Sequence, residues 1–249
     1  MSADYLASLN TAGIFSRAEL YDEIEESRGD LSEANFKKIL QKLLTSGELL
    51  RVGRNAYSVA AGRKNYVYEY SSVSRKVAEY MEQNNPYLDF VIMELVQLNE
   101  FVNHQIAHNM YFLYVEGDYG EYIFDSLKSM FPGKVLLYPD EQTFHRYWCE
   151  DVIVIERLVS QAPKDRRMKW HTRVEKLMVD MLADPLLKST VSESEYPSIY
   201  EGIFDKYAVD ESSLLRYAGR RGVKAGLLDF IASQTDVNLR TVGVHAQQG

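Results

Sequence analysis

Few side chains in this sequence have a type and spacing that could support chemistry. His104 and His108 stand four apart in HQIAH, the spacing that puts two imidazoles on one helix face in HExxH zinc peptidases. Gln105 follows the first of them and cannot act as a general base, and no third ligand accompanies the pair, so no metal site is expected. Pro139-Asp140 resembles the opening of a metal-dependent nuclease motif, which needs Glu-x-Lys on a neighbouring strand to complete its cluster of carboxylates and cation. The candidate strands carry Glu116-Gly117-Asp118 and Glu156-Arg157-Leu158 instead, compatible at most with a nuclease-like fold that lacks activity. There is no Gly-rich phosphate loop and no G-x-S-x-G turn. Cys149 is the single cysteine and can form neither an internal disulfide nor a thiolate metal site alone; beside Trp148 it reads as a buried thiol. Neither a catalytic site nor a cofactor is expected.

Residues 34–64 fit a different chemistry. They carry seven bases against one acid, Glu48, whereas residues 1–33 carry two bases against eight acids. Asn35, Lys38, Gln41 and Lys42 would share the outer face of a helix, and Arg51, Arg54 and Asn55 would cluster around a turn. Amide side chains pair with adenine in the major groove, and lysine reaches guanine or phosphate. The formal net charge of −8 resides in residues 65–249, so a basic segment is joined to an acidic body. The same residue types also make an ordinary solvated helix face or a protein-docking surface.

The local signals supply elements to position these residues. Ser16 followed by Glu19 forms a capping box ahead of RAELYDEIEE, and Ser32 caps EANFKKILQKLL. Phe36, Ile39, Leu40, Leu43 and Leu44 form one apolar stripe, and Gly47 stops the helix. ELLRVGRNAYSV then reads as strand, turn, strand. Helix, helix, hairpin is the order of a winged helix-turn-helix, here residues 1–62, in which the later helix enters the major groove.

Beyond a short break at Ala60–Arg63, residues 66–240 alternate strand and helix patterns. YVYEY, LDFVIMEL, MYFLYVEG, KVLLYP and DVIVIERL are the candidate strands; VSRKVAEYMEQ, LNEFVNHQIAH, YIFDSLKSMF and EQTFHRYWC are the candidate helices. Val174, Leu177, Met178, Met181 and Leu182 share a helix face, and Ser212–Tyr217 and Ala225–Ile231 read as further helices. The fold class is therefore mixed α/β: a winged helix-turn-helix, then a domain with a central, partly parallel sheet and C-terminal helices. The closing TVGVHAQQG has no strong pattern. No apolar run approaches the roughly 18–20 residues of a membrane span, and MSADYLASLN lacks a secretory signal, so a cytoplasmic protein without membrane partners is expected.

Several segments resemble the AbiEi-like antitoxins of bacterial type IV toxin-antitoxin and abortive-infection systems: ELYDEIEE, LSEANFKKILQKLLTSGELLRVGRNAYSV, RVEKLMVDMLADPLL and YEGIFDKYAVDESSLLRYAGRRG. The resemblance implies a winged helix that binds double-stranded DNA at its own promoter and represses it. It further implies a larger domain that counters a nucleotidyltransferase-like toxin, directly or indirectly. Carried onto this chain, the DNA role falls on Asn35, Lys38, Lys42, Arg51 and Arg54, and toxin antagonism on Glu175 and Asp180. The acidity of the larger domain departs from the family pattern and argues against a second DNA surface there.

Overall fold

The computed structural model describes Leu6, Leu9 and residues 14–53, 55–60, 63–165 and 168–239. The sequence-predicted TVGVHAQQG tail and Arg54 lie outside the described residues.

The first unit contains strand β1 (Phe15–Ser16), helices α1 (Arg17–Arg28) and α2 (Glu33–Ser46), and the hairpin β2 (Leu49–Gly53) and β3 (Ala56–Val59). Its antiparallel sheet runs β1-β3-β2. Both expected caps form: Ser16 and Glu19 make the reciprocal capping box, and the Ser32 hydroxyl accepts from Asn35 N at 3.3 Å. The apolar stripe of α2 buries Phe36, Leu40 and Leu43 against Leu20, Ile24, Leu49 and Tyr57. Among the described residues, α1 and α2 packed on a three-stranded sheet ending in a hairpin make the winged-helix arrangement.

The second unit has three layers. Its sheet runs β4 (Phe90–Glu94), β5 (Met110–Val115), β7 (Val152–Arg157), β6 (Val135–Leu137); β4 is antiparallel to β5, and the other two pairings are parallel. Successive side chains point to opposite faces. Tyr111, Leu113 and Val115 therefore pack against α3 (Ser72–Asn84) and α4 (Gly120–Met130), while Met110, Phe112 and Tyr114 meet the C-terminal helices. Those helices are α6 (Val174–Ala183), α7 (Pro185–Thr190), α8 (Tyr196–Lys206), α9 (Glu211–Arg220) and α10 (Lys224–Gln234), with α5 (Glu141–Tyr147) preceding β7. No helix among the described residues is long and apolar enough to cross a membrane.

Two expected elements do not form. YVYEY is no strand; side chains rather than a ladder anchor it, with the Tyr70 hydroxyl donating to Ile92 O at 2.9 Å and Tyr66 Oη accepting from Gln97 at 3.2 Å. LNEFVNHQIAH takes in only the end of a 3₁₀ helix (Leu95–Glu100) and continues as a loop, which the Asn99 amide closes by bonding both the N–H and the C=O of Ile106. His104 and His108 consequently share no helix face, and each pairs with a different carboxylate, Glu195 at 2.8 Å and Glu150 at 3.5 Å. Helix α8 was not among the expected elements. Cys149 follows the end of α5 and is half-buried.

The units meet in a fixed joint. Lys64 bridges Tyr207, Ala208 N donates to Lys64 O at 2.8 Å, and Leu50, Ala56, Ala60 and Ala208 are buried together. The edge strand β2 lies beside α9. Asn65 reaches back to donate to Thr45 O at 3.1 Å, over the left-handed Gly47 (φ 76) at the end of α2. A Cβ at Gly47 would collide with the Asn65 amide. Gly47→Ala should therefore lower stability by about 1–2 kcal/mol through the left-handed backbone alone, and further through displacement of Asn65. Urea unfolding of the variant with an unchanged midpoint would contradict this account of the joint.

Candidate nucleic-acid interface

Helix α2 is 14 residues long, about 21 Å at 1.5 Å per residue. With Phe36, Leu40 and Leu43 turned inward, Asn35, Lys37, Lys38, Gln41 and Lys42 are all exposed, Lys37 at 70% of its side chain. Lys37 lies 4.0 Å from Glu33, one turn back. Among the described residues Lys38 and Lys42 make no ion pair, and Gln41 donates to Thr45 Oγ1 at 3.1 Å. The helix is held from behind by Arg17, whose guanidinium lies 4.7 Å from the Phe36 ring and pairs with Glu33. A rigid helix therefore offers three ammonium groups and two amides to solvent.

The remaining expected contacts do not all join this face. Arg51 leans over Tyr57, 5.7 Å from the ring centre with Nη2 3.4 Å from the hydroxyl. It lines the cleft toward the second unit together with Asp165, Arg173 and Asp210, because β2 is the strand nearest that unit. Asn55, with φ 55, is exposed at the hairpin turn, and Arg54 lies outside the described residues. Lys64 is tied into the joint through its backbone. Of the seven bases in residues 34–64, the three lysines of α2 share a surface, and Arg51 does not join them.

Glu175 and Asp180 belong to a buried network rather than to a surface. Both carboxylates are 0% exposed, as is Lys176 between them, so neither acid can touch a partner directly. Glu175 accepts from Arg173 at 2.8 Å and from Asp210 N at 2.7 Å. Lys176 pairs with Asp180 and sits 3.1 Å from the centre of the Tyr114 ring. Asp180 Oδ1 also accepts from the Tyr217 hydroxyl at 2.9 Å and lies 3.5 Å from Arg221 Nε. Burial pulls the Lys176 ammonium below its ordinary range, opposed by Asp180, and pushes Glu175 and Asp184 up. Glu156, at the end of β7, is raised to about 7, first by burial and then by the Asp184 carboxylate. The sequence signal for this network was the apolar surroundings: Val174, Leu177, Met178, Val179, Met181 and Leu182 leave no side of α6 to water.

The residues considered for nuclease chemistry have structural partners. Asp140 caps α5 through Thr143 N at 2.7 Å, and Glu116 accepts from Asp89 N at 2.7 Å. Among the described residues no three His, Cys, Asp or Glu side chains converge as a metal site would require.

Fold and exposed helix together define a winged-helix protein with a three-layer α/β domain. Residues 35–237 match the family described as "Family of unknown function (DUF6577)", and the chain belongs to that family. Comparison with curated proteins returns no match. A solved structure similar to it is the crystal structure of RV2827C protein from Mycobacterium tuberculosis, at 10% identity and a TM-score of 0.24, over 94% of this chain and 80% of that one.

Removing one member of the buried network strands a charge in the core. Asp180→Ala should lower stability by about 3–5 kcal/mol, whereas Lys176→Met combined with Asp180→Leu should recover part of that loss, the remainder reflecting Tyr217 and Arg221 left without their acceptor. A double variant no more stable than the single one in urea unfolding would contradict the assignment.

Glu156 makes stability depend on pH. Its folded-state value near 7 exceeds the ordinary 4.5, so the native state holds the proton more tightly than the unfolded chain. The stabilisation is complete below about pH 4.5 and declines as pH rises through about 7. Glu156→Gln should flatten that decline, as measured by urea midpoints across this range; an identical slope in the variant would refute the assignment.

Proposed function

We propose that this chain is a DNA-binding repressor of its own promoter and the antitoxin of a bacterial toxin-antitoxin system, without an enzymatic role. The observation that carries the reading is the outer face of α2, where Lys38 and Lys42 stand exposed and without acid partners among the described residues, beside Asn35 and Gln41. In a winged helix this element lies in the major groove, where amides and ammonium groups meet base edges and phosphates. Asn55 at the hairpin turn would reach the adjacent backbone. The antitoxin role, with a nucleotidyltransferase-like toxin as partner, draws its support from the likeness of the α1–β3 and α6–α9 sequences to AbiEi-like antitoxins. In this reading Glu175 and Asp180 act by holding the second domain together, and a toxin would meet residues on its surface.

A second reading has its own observation. Helix α1 exposes Glu19, Asp22, Glu25 and Glu26, which would repel phosphates and favour a winged helix that docks a basic protein.

The two separate in a gel-shift titration with the upstream region of the chain's own operon. The repressor reading expects a sequence-selective shift that Lys38→Glu with Lys42→Glu weakens at least about tenfold while circular dichroism is unchanged. Three lysine contacts per copy also imply a loss of roughly tenfold or more in affinity between about 50 and 200 mM salt. Retained binding by the folded double variant, or affinity indifferent to salt, would rule out α2 as the reader. A stable complex with the neighbouring gene product, without any DNA shift, would favour docking.

A further inference from the structure

The joint between the two units holds a cavity of about 470 Å³, within the roughly 300–1,000 Å³ typical of small-molecule sites. The end of α2 and the start of β2 form one wall, and the segments leading into α6 and α9 form the others. Neither Lys38 nor Lys42 lines it, and it has no part in the repressor reading.

The walls divide into an aromatic part and a charged part. Tyr66, Tyr68 and Tyr70 line the cavity, yet their hydroxyls are bonded to Gln97, Glu94 and Ile92 O, none of which faces it. Their rings are thus what an occupant meets, and ring faces and edges favour an aromatic partner. Arg51, Asp165, Arg173 and Asp210 line both this cavity and a polar groove beside it, so the charged groups stand together where the two meet. Glu175 cancels the charge of Arg173 across 2.8 Å. Asp210 accepts from Ser213 N and Asp165 from Met168 N, each at 2.9 Å, and a bond from an uncharged N–H leaves a carboxylate its full charge. Arg51 has no carboxylate within salt-bridge distance among the described residues, only the Tyr57 hydroxyl at 3.4 Å. The rim therefore presents a guanidinium and carboxylates together. A bare anion there meets the acids and a bare cation meets Arg51, whereas a head of both signs suits both: its ammonium donates to a carboxylate and its carboxylate accepts from the guanidinium. Thr172, 4% exposed in the same wall, has a buried hydroxyl with no partner among the described residues, which a polar atom of an occupant would satisfy.

We infer that this cavity binds an aromatic α-amino acid, with its ring against the tyrosines, its ammonium on Asp210 and its carboxylate on Arg51. Because the walls come from both units, the occupant would bridge them.

Isothermal titration of the full chain, without DNA, tests this independently of the repressor reading. The probes are L-phenylalanine, L-tyrosine and L-tryptophan. Each is compared with the amine that lacks its carboxylate, the carboxylic acid that lacks its ammonium, and L-alanine, which lacks the ring. The expected result is saturable binding of at least one aromatic amino acid, about tenfold or more tighter than all three of its comparators, since each charged hydrogen bond contributes on that order. Asp210→Asn, which keeps the helix cap and removes the charge, and Arg51→Gln should each weaken binding about tenfold. Tyr68→Phe, which keeps the ring, should leave it within about twofold. Absence of binding by all three amino acids up to about 1 mM, or a comparator that binds as tightly as its amino acid, would overturn the inference. So would an Asp210→Asn or Arg51→Gln protein that is folded by circular dichroism and binds as the parent does.

Discussion

The Lys176 side chain is sealed from solvent, where burial disfavours its charged form and Asp180, one helical turn along α6, and the Tyr114 ring beneath it oppose that effect. Removing an ion from water costs several kcal/mol, and a partner offsets this only if its remaining lone pairs are also satisfied. Tyr217 and Arg221 perform that task for Asp180. One ion pair thereby ties three elements together: β5 through Tyr114, α6 itself, and α9 with the residue just beyond it. Apolar packing alone would let α6 slide or rotate among its neighbours, whereas a buried charge has one position in which it is neutralised. The layers on that side of the sheet take their register from this constraint.

The same constraint extends to the joint with the winged helix. Glu175, next to Lys176, fixes Arg173 and the backbone of Asp210, the residue that caps α9. Helix α9 lies against β2, and Lys64 and Ala208 close the contact with main-chain hydrogen bonds. A continuous path of packed and bonded groups thus runs from the core of the second domain to the strand of the wing. The position of β2 also explains why Arg51 faces the cleft: an edge strand packed against a neighbour has its outward side chains directed by that neighbour, not by the helix it follows in sequence.

Much of the architecture was legible in the residues because it rests on local rules. The two serine caps, the stripe of α2, its stop at Gly47 and the hairpin depend on neighbours a few positions away. The strands MYFLYV and VIVIER were evident as apolar runs too short for helices, and their burial on both faces follows from the helices that flank them. What failed were readings decided at long range. YVYEY has the composition of a strand, but Gln97, Glu94 and Ile92 hold its tyrosines one by one. HQIAH has helical spacing, but Asn99 and Ile106 close a loop around it. The resemblance put toxin antagonism on Glu175 and Asp180, yet both lie in the core; the apolar residues on every side of α6 were the only sequence signal of that burial. The cavity at the joint had no local signature, since its walls come from segments more than 100 residues apart in sequence.

Net charge is a weak guide to what such a chain can bind. Screening confines a charge's influence to about 8 Å at physiological ionic strength, less than the 21 Å or so of α2. A phosphate approaching Lys38 and Lys42 therefore responds to the acids within a turn or two of α2 far more than to the −8 of the whole protein. Glu33 is one such acid, and it is already engaged by Arg17 and lies near Lys37. The acids of α1 are the ones that matter for the balance. If a duplex lies along α2, they must either face away from its backbone or oppose binding, and the sign of their effect depends on how the duplex is set against the two helices. Charge placement on these two helices, more than the acidity of the domain behind them, decides whether the winged helix accepts a polyanion or a basic protein.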